Sequence, residues 1–503
     1  MNRNLPGTKS SLTNPKLWAI FFLYIITAGY AIAHHELWGD EIHSWNIAKA
    51  SGSFFDLLTN TRYEGHPPVW YFILWTISKF TYNTDYIQVV QFLMAGSFVF
   101  LVLLYSPFPF ITKLLIPFGY FFIFEYAVLS RNYAIGIFLA FCICIIIRRD
   151  FKSKLLLYYA LLFFMSNTHL LALLLAGSLH LYFLLLNIEQ KKGSLLLHIV
   201  LGVLIFLPSV YFIFPPSDSG LNASFLLSTG EIHQLSIVSK SPLRAFFPIP
   251  AWWNYNFWNT QFMLDLQNKS LVLKVVSLLM SAIFAGMAMF LLKNNKKSLA
   301  VFIVNLVLTF LIAFIFPLTA MRYTGFIYVG FITAYWLYCY ETPTGRIRNW
   351  FIILLLSLQL IAGIFAITKD IRFPFSNAPR INEILNKIPA NERVVTDIGC
   401  VNNVSAFTGK AMYCIGPDRE VSFVQWNNEF KLTTPDPYFN SITKLFQKEG
   451  LKNVYLISIY TPKTLSQFDS RLGNSFQLKL IDKREGAIEK WSNLYLYQVS
   501  ALP

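Results

Sequence analysis

Apolar runs of near-constant length constrain this chain more than any other feature. About twenty apolar residues in a helix span a hydrocarbon core of roughly 30 Å. Such runs lie at 17–34, 86–105, 111–130, 133–147, 155–168, 169–188, 194–214, 271–292, 298–317, 323–340 and 349–367. Lipid offers no hydrogen bonds, so a crossing segment must satisfy its own backbone, which a helix does. The expected fold is a polytopic all-α membrane protein of about eleven transmembrane helices. It occupies 1–369 and is followed by a small α/β domain over 370–503. Composition agrees, with 55% hydrophobic and only 13% charged residues among 503.

The net charge of +15 does not mark a nucleic-acid partner, because its placement follows the loops. Arg148, Arg149, Lys152 and Lys154 fill one short gap, and Lys191 and Lys192 another. Lys293, Lys296 and Lys297, then Arg346 and Arg348, fill two more. Cationic loops are retained in the cytoplasm, so this charge reports topology. Arg3, Lys9 and Lys16 put the N-terminus on the same side. The first run lacks a small-residue cleavage site and is expected to stay as an uncleaved helix. Counting from there, 35–85, 215–270 and 368–503 fall outside the cytoplasm. The segment "PVWYFILWTISKF", 68–80, is short and follows two prolines. Counting it as a crossing would expose every basic loop, so it is expected to lie along or dip into the outer face. Loop 215–270 mixes Lys240 and Arg244 with Trp252, Trp253, Tyr255 and Trp258. These rings suit either an interfacial belt or a flap over a substrate.

Beyond residue 370 the composition becomes that of a soluble domain. "RVVTDIG", "AMYCIG" and "NVYLISIY" read as buried strands, and "APRINEILNKI" and "SITKLFQKEG" as amphipathic helices. Their alternation predicts a small α/β unit. Cys400 and Cys414 lie in it, where an oxidising compartment would permit a disulfide.

Charged groups at membrane depth are costly enough that each invites a functional reading. Several converge on the outer level in this topology. Asp40 and Glu41 stand in "HHELWGDEIHSW", Glu64 and His66 in "RYEGHPPVW", Glu125 and Arg131 in "FEYAVLSRNYAIG". His169 stands in "SNTHL", and Arg322 and Tyr323 in "PLTAMRYTGF". A partly desolvated carboxylate has a raised pKa and accepts a proton more readily. Guanidinium groups match phosphate oxygens. Acid plus cations beside lipid therefore suit chemistry on a phosphate-bearing lipid, with the cations stabilising a departing phosphate.

Plainer readings exist for each. Asp40 and Glu41 would complement a helix dipole. Arg131 and Arg322 would snorkel to headgroups, and Lys240 and Arg244 would contact them. His66 would end a loop, and His169 would be an interhelical histidine. A zinc site with His34, His35, Glu36 and His43 lacks standard ligand spacing.

The stretches "WGDEIHSWNIAKASGSFFDLL", "YEGHPPVWYFIL", "SRNYAIGIFLA" and "MRYTGF" together resemble the GT-C type of membrane glycosyltransferases. The likeness is to bacterial branches near the protein O-mannosyltransferases and the lipid A aminoarabinose transferases, over roughly 15–340. It implies a polyprenyl-phosphate sugar donor, an acceptor hydroxyl on a lipid, polysaccharide or protein, and a bacterial inner membrane. It also implies a catalytic carboxylate in the first external loop, which falls on Asp40 with Glu41 as its neighbour. Glu64 and His66 would line the cavity, and Arg131, His169, Lys240, Arg244, Arg322 and Tyr323 would contact donor or carrier phosphate. Some members of the wider class use a divalent metal and others do not. Glu125 only loosely matches the second acidic motif of the oligosaccharyltransferases, so the resemblance assigns no metal ligand. No nucleotide cofactor is implied. A transporter or flippase of lipid-linked saccharides, and a membrane platform presenting the C-terminal domain, are the alternatives from other classes.

Overall fold

The computed structural model describes residues 11–147, 154–190, 194–219, 231–267, 270–316, 320–342, 346–430, 438–469, 472–473 and 475–502. Arg3, Lys9, Arg148, Arg149, Lys152, Lys191 and Lys192 lie outside the described residues, as do the side chains of Arg346 and Arg348. The chain is a multi-pass membrane protein: among the described residues seven helices are long and apolar enough to cross a bilayer. They are α1 (Pro15–His34), α4 (Tyr86–Tyr105), α7 (Leu170–Gln190), α8 (Leu195–Ile213), α10 (Leu271–Leu292), α11 (Lys296–Ile315) and α13 (Arg346–Arg372). Two shorter apolar helices, α5 (Tyr133–Ile147) and α6 (Leu155–Ser166), pack among them, and α12 (Met321–Glu341) is buried along most of its length.

The count of eleven spans is not reproduced, and 111–130 shows why. Instead of one helix it forms a short helix, Phe110–Leu115, and a π-helical turn, Phe121–Glu125. Pro117 removes a backbone donor and breaks the run. All of residues 119–130 are buried in protein, where irregular backbone at membrane depth is tolerated. Helix α12 can approach this turn because Gly325 has no side chain: a Cβ there would stand 2.3 Å from the Tyr126 hydroxyl.

Among the short helices that follow α1 are α2 (Gly39–Ala50) and α3 (Val69–Ser78). Ten residues rise about 15 Å, half a bilayer, so α3 cannot cross. Loop 215–270 departs from expectation at α9 (Ser241–Phe246), which is buried inside the bundle rather than lying outside it.

The ends of the bundle differ in character. At one end Lys297 pairs with Glu189 (2.5 Å) and Glu341 (3.3 Å), which gathers the turns after α7, α10 and α12. At the other end stand α2, residues 129–132 and Arg322. Helix α12 runs from Arg322 to Glu341, so about 30 Å of helix separates the two clusters.

The C-terminal domain carries a six-stranded sheet in the order β3-β2-β1-β4-β6-β5. Its strands are β1 (Val394–Thr396), β2 (Met412–Cys414), β3 (Arg419–Val421), β4 (Asn453–Ser458), β5 (Phe476–Arg484) and β6 (Leu494–Ala501). β1 pairs in parallel with β2 and β4, and the remaining pairings are antiparallel. Helices α14 (Ile398–Thr408) and α15 (Asn440–Glu449) make the crossovers. Cys400 and Cys414 are both buried and free, so the permitted disulfide is absent.

Candidate functional site

The first turn of α2 decides how two adjacent carboxylates are used. Trp38 caps the helix, and Asp40 and Glu41 fall where unsatisfied N–H groups and the helix dipole favour negative charge. Consecutive helical residues point about 100° apart. Glu41 therefore turns inward, and Asp40 keeps part of its side chain accessible.

Glu41 is fully buried. Its Oε2 accepts the Trp38 N–H (2.9 Å) and lies 3.2 Å from His35 Nε2. Its Oε1 accepts the Ser130 N–H. His35 Nδ1 is in turn 3.2 Å from both carboxylate oxygens of Asp370 on the last turn of α13. Burial alone would weaken proton binding at His35, but Asp370 and Glu41 outweigh it and push its pKa up to about 10. This charged brace ties α2 to the 129–132 turn and to the final span. Glu41, expected beside Asp40 as part of the catalytic pair, is placed with both of its oxygens engaged in the scaffold.

Asp40 keeps 37% of its side chain accessible, and its Oδ2 lies 2.9 Å from Arg131 Nη1 and 3.5 Å from Arg322 Nη2. The two arginines are 12% and 15% accessible. Desolvation would raise the Asp40 pKa, as expected from the sequence. Arg131, Arg322 and His43 outweigh it and hold the carboxyl below its ordinary range. The expected raised pKa is thus reversed by the neighbouring cations.

Arg322 is boxed by aromatic faces. Its guanidinium lies 5.7 Å from the Trp38 ring, 5.6 Å from Trp258 and 4.9 Å from Tyr323. It also donates to the Tyr323 hydroxyl (3.4 Å), while its Nε is buried without a partner among the described residues. Arg131 lies 6.0 Å from the other flank of Trp38. Trp258 donates to Glu125 Oε2 (3.2 Å), which also accepts from the Tyr120 hydroxyl (2.8 Å).

His43, one turn after Asp40, holds Glu64. Its Nε2 is 2.8 Å from Glu64 Oε2, which also accepts from the Tyr71 hydroxyl (3.2 Å). Burial opposes the charge on His43, yet Glu64, Asn402 and Asp40 raise its pKa. Glu64 Oε1 and His66 Nδ1 are buried without partners among the described residues. Burial, reinforced by Arg131, drives the His66 pKa down to about 3, so its ring is neutral.

Not every expected residue arrives. His169 packs between Tyr133 (4.8 Å) and Phe326 (4.6 Å), and its Nδ1 accepts the Ala172 N–H (3.3 Å). Its Nε2 is buried without a partner among the described residues. Lys240 caps α9 and Arg244 lies on it, and among the described residues neither makes an ion pair with Asp40. Among the described residues no group of three or more His, Cys, Asp or Glu side chains is arranged to hold a metal ion.

The C-terminal domain closes over the loop. Asn402 on α14 faces His43 Nδ1 (3.3 Å) through Oδ1, which also accepts the Val424 N–H (3.2 Å). The Asn402 carbonyl accepts from Asn46 (2.8 Å), and the Phe375 N–H donates to Glu36 (2.8 Å). The Glu489 N–H donates to the Phe375 carbonyl (3.0 Å). Burial raises the Glu489 pKa, and the charge of Asp40 adds to it, so this carboxylate belongs to the same electrostatic neighbourhood. Trp38, Asn402, Asp370 and Glu489 were not singled out as site residues from the sequence, and of these only Trp38, two residues before Asp40, carried a local signal; Trp258 was expected only as one of the belt or flap rings of loop 215–270.

No family model and no curated protein matches the chain. It is similar to two solved structures of ArnT from Cupriavidus metallidurans. To the form bound to undecaprenyl phosphate it is 12% identical with a TM-score of 0.45, covering 96% of this chain and 98% of that one. To the apo form the identity is 12% and the TM-score 0.44, over the same shares.

Proposed function

We propose that this chain is an inverting membrane glycosyltransferase that moves a sugar from a polyprenyl-phosphate carrier to an acceptor hydroxyl. The observation that carries this reading is an accessible carboxylate held between two nearly buried arginines at one end of a helix bundle. One carboxylate neutralises only one guanidinium, so the pair keeps a net positive charge beside Asp40 and can receive a second anion. A phosphate monoester or diester matches the guanidinium fork.

Asp40 then has two states. With no donor, it occupies the arginines itself and is a weak base. When carrier phosphate shares those hydrogen bonds, the pull on Asp40 falls and its basicity rises. Asp40 accepts the proton of the acceptor hydroxyl, whose oxygen forms the new bond to the anomeric carbon. The bond from that carbon to the phosphate oxygen breaks on the opposite face, and lipid phosphate leaves against Arg131 and Arg322. A single in-line displacement of this kind inverts the anomeric configuration. Neutral His66 and the free oxygen of Glu64 suit hydroxyl recognition. Glu41 positions the arginine turn and takes no proton.

The same reading puts the site on the outer face of a bacterial inner membrane. The Lys293–Lys297 turn lies at the far end of the bundle from Asp40, as the positive-inside rule requires. The acceptor class is lipid, polysaccharide or protein. A transporter would instead be expected to show paired repeats about a midplane site, and the sequence carries no repeat. A platform role gives no reason for an accessible acid between two arginines.

The test is transfer by purified protein in proteoliposomes, offered a panel of undecaprenyl-phosphate sugars, with and without chelator. The reading expects release of undecaprenyl phosphate with a product of inverted anomeric configuration. Uptake of intact donor across the membrane without cleavage would overturn it.

A further inference from the structure

Helix α9 lies where a charged side chain is least stable. The Leu243 N–H donates to Ser281 Oγ (3.3 Å), which itself donates to the Ser239 carbonyl (2.7 Å). Gln359 donates to the Ala245 carbonyl (2.7 Å). Ser281 stands midway along the 22 residues of α10, and Gln359 midway along the apolar stretch Asn349–Arg372. About 15 Å of helix separates Ser281 from either end of α10. The Phe246 ring packs on Phe331 (5.4 Å) and Phe284 (6.4 Å), inside the bundle. The segment is a re-entrant helix fixed at half-depth.

It brings two cations with it. Lys240 caps the helix and Arg244 follows one turn later. Lys240 is 6% exposed and donates only to Ser236 Oγ (3.1 Å). Arg244 Nε is buried without a partner, and no carboxylate pairs with either cation among the described residues. Lys274 lies exposed on the first turn of α10, the helix that holds α9 through Ser281. Elsewhere the pattern differs: Arg131 and Arg322 share Asp40, and Lys297 has Glu189 and Glu341.

An unpaired cation buried at membrane depth is strongly unfavourable, and several together more so. Helix packing holds Lys240 and Arg244 in place with no carboxylate partner among the described residues, and the exposed Lys274 stands at the end of α10 nearest them in sequence. We propose that Lys240, Arg244 and Lys274 form a binding site for the phosphate of a membrane lipid, within the bundle and separate from Asp40. Phosphate matches the donors, a guanidinium fork flanked by two ammonium groups. Lipid matches the approach. Leu271, Val272, Val275 and Leu279 leave α10 apolar and exposed beside Lys274. A headgroup drawn in at Lys274 can pass its phosphate down to Lys240 and Arg244 while its chains stay against that face. This site does not depend on the role given to Asp40.

The experiment uses full-length protein, stripped of lipid in detergent and titrated with phosphatidylglycerol or, separately, inorganic phosphate. Thermal unfolding and native mass spectrometry report binding. Wild type should gain thermal stability with phosphatidylglycerol and retain one lipid. Lys240→Gln/Arg244→Gln should be at least as stable as wild type without lipid, since it removes uncompensated charge. It should lose the lipid-dependent shift and retain at least tenfold less lipid. Lys240→Arg should keep both, and so should Asp40→Asn. If the double variant fails to fold, Arg244→Gln alone should weaken retention several-fold. Equal retention by wild type and the Gln variants would overturn the site. A full shift with inorganic phosphate alone would overturn the lipid assignment.

Discussion

Replacing Glu41 with glutamine should damage the scaffold before it damages the chemistry. The carboxylate accepts the Trp38 and Ser130 N–H groups and faces His35, all with no exposure to water. A glutamine keeps one carbonyl oxygen and turns an NH2 group toward one of those donors. Hydrogen bonds to a charged acceptor are worth roughly 1.5–3 kcal/mol each. His35 would keep only Asp370 as counter-charge, and breaking a buried ion pair costs about 3–5 kcal/mol. The expected loss is therefore about 3–5 kcal/mol, read as a lowered unfolding temperature or a faster thermal inactivation. Turnover should fall as well, because Ser130 carries the turn that sets Arg131. A displacement of about 1 Å in a catalytic group can cost on the order of a hundredfold in rate. Differential scanning fluorimetry and donor turnover on the same samples separate the effects. Glu41→Gln with wild-type thermal stability and abolished turnover would refute the brace and make Glu41 a reacting group.

The pH dependence of domain docking should be set by histidines. His35 and His43 have raised values in the folded chain, so their contribution is complete below the ordinary histidine value near 6.5. It is lost as pH climbs, for His35 through about 10. Hydrogen exchange at residues 370–380 should therefore quicken between pH 7 and 10. Asp40 runs the other way: its lowered value stabilises the fold above about pH 4, and that contribution is lost on further acidification. Asn402→Ala removes the acceptor for the Val424 N–H and the partner of His43, and should cost about 1–3 kcal/mol. It should also raise protease sensitivity near residues 370–392. Gly325→Ala forces a methyl against Tyr126 and Phe121, which should cost about 1–3 kcal/mol and lower turnover by shifting Arg322 one turn away.

Hydropathy and charge made the bundle legible because both report on solvent. α1, α4, α10 and α11 fall within two residues of their expected limits. They failed at 111–130, where a segment apolar enough for lipid is buried in protein instead, and at α9, which was expected in an external loop and is buried in the bundle. Composition does not distinguish those two surroundings. Strands β1, β2 and β4 were visible as apolar runs, whereas β5 alternates with exposed lysines and escaped notice. At the site, residue types located Asp40, Arg131 and Arg322. The division of labour between Asp40 and Glu41 was not legible, because it depends on which way a helix faces once Ser130 and His35 have docked. Asn402 and Glu489 come from the far end of the chain with no local motif.

The central claim is tested most directly by Asp40→Asn in a single-turnover assay with radiolabelled polyprenyl-phosphate sugar, beside donor binding on the same protein. The amide cannot accept the hydroxyl proton, yet it leaves Arg131 and Arg322 free for phosphate. The account predicts donor affinity equal to or tighter than wild type, with transfer reduced by at least a thousandfold. Transfer within a few-fold of wild type would contradict it, whatever the affinity.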